Sequence, residues 1–148
     1  MKKITWKQLE SFKGWIGIFA DDNIDCVLGI GRGGFIPAVI VSHALNVPLY
    51  TLGVKRYIDI NKPGKTFVDL ASLSTLNLTG KKVMVVDDIH DKGVTAQLVK
   101  GILLGKGAKP SVFVYLCSKR PVTSVQGFED YVFIDVPQEG WIHFPWEP

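Results

Sequence analysis

The chain has 148 residues, 47% of them apolar and 21% charged, with 15 Gly and 8 Pro. That length makes one domain with a real core, and the composition excludes a disordered or collagen-like chain. With 17 Lys and Arg against 14 Asp and Glu, the net charge of +3 is mild and spread along the chain. It suits an anionic small molecule, or weak contact with nucleic acid or an acidic surface, without choosing between them. No apolar run approaches the ~18 residues that span a bilayer. The start, MKKITWKQLE, has Lys7 and Glu10 where a signal peptide is apolar. Cys26 and Cys117 sit in apolar runs and are too few for a disulfide framework. A reducing cytoplasm is the expected location.

In chain order, Thr5-Trp6-Lys7-Gln8 is a capping box that opens a helix running to about Ala20. Cys26 to Ile30 is apolar and too short for a helix, which predicts a strand. A helix over Gly33 to Leu45 and a strand over Pro48 to Val54 follow. Arg56 to Thr66 (RYIDINKPGKT) is polar and without period, which predicts a long mobile loop or a loosely held hairpin. Between Lys82 and Asp87 the run Val83 to Val86 is apolar throughout, the pattern of a strand buried on both faces. A helix over Val94 to Leu104 and strands over Ser111 to Cys117 and Tyr131 to Asp135 complete the alternation. The chain contains no repeat or linker that would divide it. Such an order predicts an α/β fold, a mostly parallel sheet flanked by helices. Ligands of such sheets sit beyond the carboxyl ends of the strands.

Two segments lie at such ends. Gly29-Ile30-Gly31-Arg32-Gly33-Gly34 matches G-x-G-x-x-G between a strand and a helix. A dinucleotide site also needs an acidic residue about 20 positions on, and Leu49 to Val54 offers none. An arginine among free backbone N–H groups suits a diphosphate instead, although a glycine-rich turn with no ligand has the same spelling. The second segment is Val85-Val86-Asp87-Asp88-Ile89-His90-Asp91-Lys92-Gly93-Val94-Thr95-Ala96. Two adjacent carboxylates repel, so a cation or vicinal hydroxyls belong between them; Mg²⁺ and a sugar both serve. The Lys92 to Thr95 turn opens a helix, whose N–H groups can hold a phosphate monoester. An acidic surface loop with a helix cap is the plainer alternative. His90 is either a ligand contact or a solvated loop residue, and the two cysteines read as strand residues without a basic partner.

VVDDIHDKGVTA resembles the ribose-5-phosphate signature of the type I phosphoribosyltransferases, and GRGG resembles their diphosphate loop. The end of the chain, Val136-Pro137-Gln138-Glu139-Gly140-Trp141-Ile142-His143-Phe144-Pro145-Trp146-Glu147, is similar to the purine-covering hood of the bacterial xanthine-guanine members. The resemblance implies one phosphoribosyltransferase domain over residues 1–148, with a hood at about 136–148 and a mobile loop at about 56–66. It implies that Gly31, Arg32 and Gly33 bind the diphosphate of phosphoribosyl diphosphate, through a Gly31–Arg32 peptide that is cis or able to become cis. Asp87 and Asp88 would hold the ribose hydroxyls and Mg²⁺, with Asp88 the metal contact. Asp91 would be catalytic, facing purine N7, and Lys92, Gly93, Val94 and Thr95 would wrap the 5′-phosphate. Lys119 would read the 6-oxo group, Trp141 would stack on the base and Ile142 would offer backbone groups to its edge. Lys92 stands where the family has Thr or Ser, Gly31 where guanine-type bacterial enzymes have Ser, and His143 and Phe144 where the hood is more polar.

The implied activity is Mg²⁺-dependent transfer of the phosphoribosyl group to N9 of a 6-oxopurine, guanine, xanthine or hypoxanthine. A homo-oligomer, dimer or tetramer, goes with it, and no nucleic-acid partner. The mobile loop from Arg56 to Thr66, with Tyr57 near its start, would close over the site and exclude water. Two alternatives stay open: a non-catalytic regulator that senses phosphoribosyl diphosphate or a nucleotide, and a transferase for another base.

Overall fold

The computed structural model describes the backbone of every residue except 60, 61, 70, 110, 125 and 126, and omits the side chains of 55–59, 62–69 and 71–72 as well. Its elements are β1 (Lys2–Lys3), α1 (Trp6–Ile16), β2 (Cys26–Ile30), α2 (Gly31–Leu45), β3 (Leu49–Asp59) and β4 (Lys62–Asp69), then α3 (Ala71–Ser74), β5 (Val83–His90), α4 (Val94–Gly105), β6 (Ser111–Ser118), β7 (Phe128–Asp135) and β8 (Ile142–His143). β2, β3, β5, β6 and β7 form a parallel sheet in the order β3-β2-β5-β6-β7, and β4 adds antiparallel to β3 at the edge. No helix among the described residues is long and apolar enough to cross a membrane.

The alternation of side chains along the central strands divides the core. Met84, Val86, Val112 and Val114 pack on one face with Leu9, Phe12 and Ile16 of α1 and Val41 of α2. Val83, Val85 and Phe113 pack on the other with Val99 and Leu103 of α4. The capping box at Thr5 is formed, its hydroxyl accepting from the Gln8 N–H while Gln8 Oε1 accepts from the Thr5 N–H at 2.9 Å. α1 stops at Ile16, short of Ala20, because the chain tightens into a 3₁₀ turn over Gly17–Phe19.

Two features that differ from the sequence expectation, and one that decides between its alternatives, bear on function. α2 begins at Gly31, two residues before the predicted start, so the glycine-rich segment is its first turn. On the two sides of residues 60 and 61, β3 and β4 pair as the hairpin alternative expects, from Gly53↔Asp69 to Asp59↔Lys62. Pro63 is tolerated there because β4 is an edge strand. The expected closing of this segment over the site, with Tyr57 near its start, involves side chains outside the described ones. Finally, β1 and β8 pair in parallel, tying the first residues of the chain to the hood.

From β2 the chain runs outward to β3 and β4, then returns to lay β5 on the other side of β2. Such a reversal splays apart the connections leaving two adjacent strands, and the crevice between them is where these sheets take ligands. The carboxyl ends of β2 and β5 carry the two segments singled out above.

Candidate active site

Gly31 turns directly from β2 into α2 with φ +59°, a conformation that a side chain would oppose. The Gly31–Arg32 peptide is trans, one of the two states the resemblance allows, since no described peptide bond is cis. Arg32 is exposed on this turn. The two glycines that follow are required by close approach. A Cβ on Gly33 would overlap the Asp88 carboxylate, and one on Gly34 would lie 2.7 Å from the Val86 carbonyl oxygen. The start of α2 therefore rests on the acidic pair.

The Asp88 N–H donates to Asp87 Oδ1 at 2.9 Å. Burial pushes Asp87 well above the usual carboxylate range, and the charge of Asp88 pushes it further. Burial raises Asp88 too, opposed by hydrogen bonds from Asp87 and the Ile89 backbone. Neither acid has an ion-pair partner among the described residues. A cation or a set of hydroxyl donors entering here would relieve the pair. The donor set suits Mg²⁺, which takes one or two carboxylates and fills its shell with water and substrate oxygens. No group of three or more His, Cys, Asp or Glu gathers among the described residues, so those residues form no closed metal cage.

The next turn leads into α4 through Gly93, at φ +79°. No side chain caps α4, which leaves the N–H groups of its first turn for an anion. Gly31, Arg32 and Gly33, Asp87 and Asp88, and Asp91 to Thr95 line one cleft of about 490 Å³. The predicted diphosphate and ribose-phosphate residues thus come together.

Lys119, Trp141 and Ile142 do not line that cleft but form a second group at the end of β6. Lys119 Nζ donates to the Gly140 carbonyl at 2.8 Å, joining the strand end to the hood. The two hood tryptophans differ. Trp146 stacks on Phe144, with ring centroids 4.8 Å apart, whereas Trp141 is 68% exposed. Ile142 is buried, and the β1–β8 ladder runs through the Trp141 and His143 carbonyls, leaving its own backbone groups outside that ladder.

His90 is a correction. It is not a solvated loop residue but lies buried at the end of β5, at the wall of the cleft, with Nδ1 3.1 Å from Ser118 Oγ and its ring edge-on to Tyr115. Burial holds it below the usual histidine range. The cysteines are inert as expected: both are free and buried, and burial pushes Cys117 up to about 12.

Sequence reasoning missed Arg120. Its Nε donates to Asp91 Oδ1 at 2.8 Å, and that bond is the main cause holding Asp91 below the usual carboxylate range. The only signal was a second basic residue beside Lys119 after a strand.

Residues 9–148 match the family model of the phosphoribosyl transferase domain. The chain belongs to this family. The phosphoribosyltransferase is 34% identical over 122 residues to the xanthine-guanine phosphoribosyltransferase of Cereibacter sphaeroides (strain ATCC 17025 / ATH 2.4.3), spanning 82% of this chain and 68% of that protein. Its structure is similar to the purine phosphoribosyltransferase of Pyrococcus horikoshii Ot3, with a TM-score of 0.79 and 30% identity over 99% of this chain and 94% of that one. A protein of Neisseria gonorrhoeae with bound ppGpp is similar as well, with a TM-score of 0.81 and 26% identity over 99% of this chain and 90% of that one. The mostly parallel sheet flanked by helices is the type I phosphoribosyltransferase fold.

Proposed function

We propose that this phosphoribosyltransferase joins a 6-oxopurine (guanine, xanthine or hypoxanthine) at N9 to the phosphoribosyl group of phosphoribosyl diphosphate. The products are the nucleoside monophosphate and diphosphate. The observation that carries the reading is one cleft with three differently charged walls. Gly31 to Gly33 offer backbone donors and a cation, Asp87 and Asp88 offer acids, and Lys92 to Thr95 offer an uncapped helix start. Those walls match diphosphate, ribose hydroxyls and 5′-phosphate in the order in which the substrate carries them.

The C1′–O bond to diphosphate breaks and the C1′–N9 bond forms, through a transition state in which the ribose carries positive charge. The protein's share is positioning and electrostatics. Arg32 and the Gly31 to Gly33 backbone orient the leaving group. Asp87 and Asp88 accept from the ribose hydroxyls, and Asp88 would hold Mg²⁺, which when bound supplies positive charge to the diphosphate. Asp91 accepts the proton that the purine loses at N7 as N9 reacts. Trp141 stacks on the base, Lys119 donates to its 6-oxo group, and Ile142 offers backbone groups to its edge. The 56–66 hairpin closes over the cleft and excludes water from C1′. The same proposal includes one domain with a hood at 136–148, a cytoplasmic location and a dimer or tetramer. Exposed Trp6, Ile18 and Leu98 give that assembly apolar surface to bury.

Diphosphate release with phosphoribosyl diphosphate, Mg²⁺ and a panel of guanine, xanthine, hypoxanthine, adenine, uracil and orotate tests the reading. Turnover confined to the 6-oxopurines supports it. Calorimetric titration with and without Mg²⁺ tests the metal: Asp88→Asn is expected to abolish the Mg²⁺-dependent part of phosphoribosyl diphosphate binding, and unchanged affinity would remove Asp88 from that role. The second reading, a sensor of phosphoribosyl diphosphate or a nucleotide, draws on the ppGpp held by the Neisseria protein. Tight binding with no turnover on any base would favour it.

A further inference from the structure

The end of β6 is bolted to the end of β5 by a small ring of hydrogen bonds. The Lys119 N–H donates to the His90 carbonyl at 2.9 Å, and His90 Nδ1 lies 3.1 Å from Ser118 Oγ. Ser118 Oγ in turn donates to the Arg120 carbonyl. These bonds fix the backbone of Lys119 and Arg120 relative to the turn that carries Asp91. From that base the two cations reach different targets: Lys119 Nζ takes the Gly140 carbonyl of the hood, and Arg120 Nε takes Asp91 Oδ1.

We propose that Arg120 is the positioning residue for Asp91, fixing the carboxylate by Oδ1 so that Oδ2 is presented to the purine as an ionised acceptor. The proposal rests on the transferase reading and adds to it a residue 29 positions away from the group it serves. Three observations carry it. Asp91 lines the cleft and stands 47% exposed, so without a partner its side chain would sample several rotamers. Arg120 binds it through one oxygen, Oδ1, and Oδ2 has no hydrogen bond among the described residues. The charged groups that face it are Arg120 and Lys119 from the β6 end and Lys92 from its own turn, all cationic, which keeps it ionised at neutral pH. Arg120 is itself 46% exposed, and an ion pair so open to water adds little to folding. Its loss should therefore register in the chemical step.

The test is steady-state kinetics on the full chain with phosphoribosyl diphosphate, Mg²⁺ and the best base of the panel. Arg120→Gln is expected to lower kcat by about 10- to 100-fold, the scale of a catalytic group displaced by about 1 Å, with the KM for phosphoribosyl diphosphate nearly unchanged. Arg120→Lys should recover most of that loss, since the cation returns. With Asp91→Asn already in place, Arg120→Gln should cost nothing further. The acid limb of kcat/KM should move to higher pH in Arg120→Gln, as Asp91 is released toward its ordinary value. Unchanged or raised kcat in Arg120→Gln, or a loss that simply adds to that of Asp91→Asn, overturns the positioning role. Wild-type protein without turnover overturns the transferase reading and this proposal together, whereas an Asp91→Asn variant as fast as wild type overturns this proposal and leaves the transferase reading standing. The Arg120 variants with a unchanged thermal midpoint and an active wild type separate the two failures.

Discussion

Two ion pairs of nearly equal length among the described residues line one chamber with Tyr115, and they differ in almost everything else. Lys100 Nζ, from α4, donates to both Asp130 oxygens of β7 at 2.8 and 2.7 Å, with side chains only 3% and 2% exposed. The Phe113 and Phe128 rings lie 5.3 and 5.7 Å from the ammonium. Arg120 and Asp91 meet at 2.8 Å but stand 46% and 47% exposed at the cleft. Geometry alone would rank them as equals; burial separates them. In the first pair each charge is stranded without the other, so the pair holds α4 to the edge of the sheet. In the second pair water can replace either partner, so little folding energy is at stake and the contact is free to serve a ligand.

Breaking each pair should therefore read out in a different measurement. The largest effect is expected at the cleft. Asp91→Asn keeps the size of the side chain and removes the proton acceptor, so kcat should fall by about 10²- to 10⁴-fold while phosphoribosyl diphosphate still binds. If Asp91 only braced its own turn, Asn would be a fair substitute and kcat would barely change. Next comes the interior. Lys100→Met strands the Asp130 carboxylate in the core and should cost about 3–5 kcal/mol in urea unfolding. Lys100→Met with Asp130→Leu should regain most of it, because removing both charges leaves no unpaired ion. A Lys100→Met protein of wild-type stability would show that Asp130 finds another partner.

The same contrast explains what could be read along the chain. β2, β5 and β6 were legible because strands buried on both faces are apolar runs, and the glycine-rich and acidic segments were legible because each is contiguous. Pairings between distant residues were not. Lys100 and Asp130 are 30 positions apart, and Arg120 and Asp91 are 29 apart, so no local pattern reports either. β1 and β8 each have two residues and join Lys2 to Ile142, where neither alternation nor length could signal a strand. The strands flanking residues 60 and 61 form a backbone ladder, but their sequence has no apolar period to announce it.

The hood sharpens the comparison with an uncharged contact. Trp141→Ala should raise the KM for the purine by roughly 5- to 150-fold, the range of ~1–3 kcal/mol that base–aromatic stacking is worth in nucleic-acid binding. Phosphoribosyl diphosphate binding should stay nearly intact. Because Trp141 is exposed while Trp146 is stacked on Phe144, stability should hardly move. A loss of stability without a selective effect on the base would make Trp141 a packing or assembly residue instead.

Tyr115 lines the same chamber as both pairs, and it gives the smallest effect. Its side chain is 1% exposed, stacked on Phe113 at 4.6 Å, and its hydroxyl has no hydrogen-bond partner among the described residues. Burial and the charges of Asp130 and Asp87 keep the phenol protonated far above the usual range, so it does not titrate near neutrality. A buried hydroxyl left unpaired costs about 1–3 kcal/mol, whereas removing it from a packed ring leaves only a small gap. A chamber of about 160 Å³ adjoins the ring, lined also by Lys100, Asp130, Arg120 and Asp91, and is roomy enough for water to offset part of that cost. Tyr115→Phe should therefore change stability by no more than about 1 kcal/mol, toward the stable side, and leave kcat as it is. A loss of about 2 kcal/mol or more on urea unfolding would mean that the hydroxyl is bonded through the chamber and that the two ion pairs are linked across it.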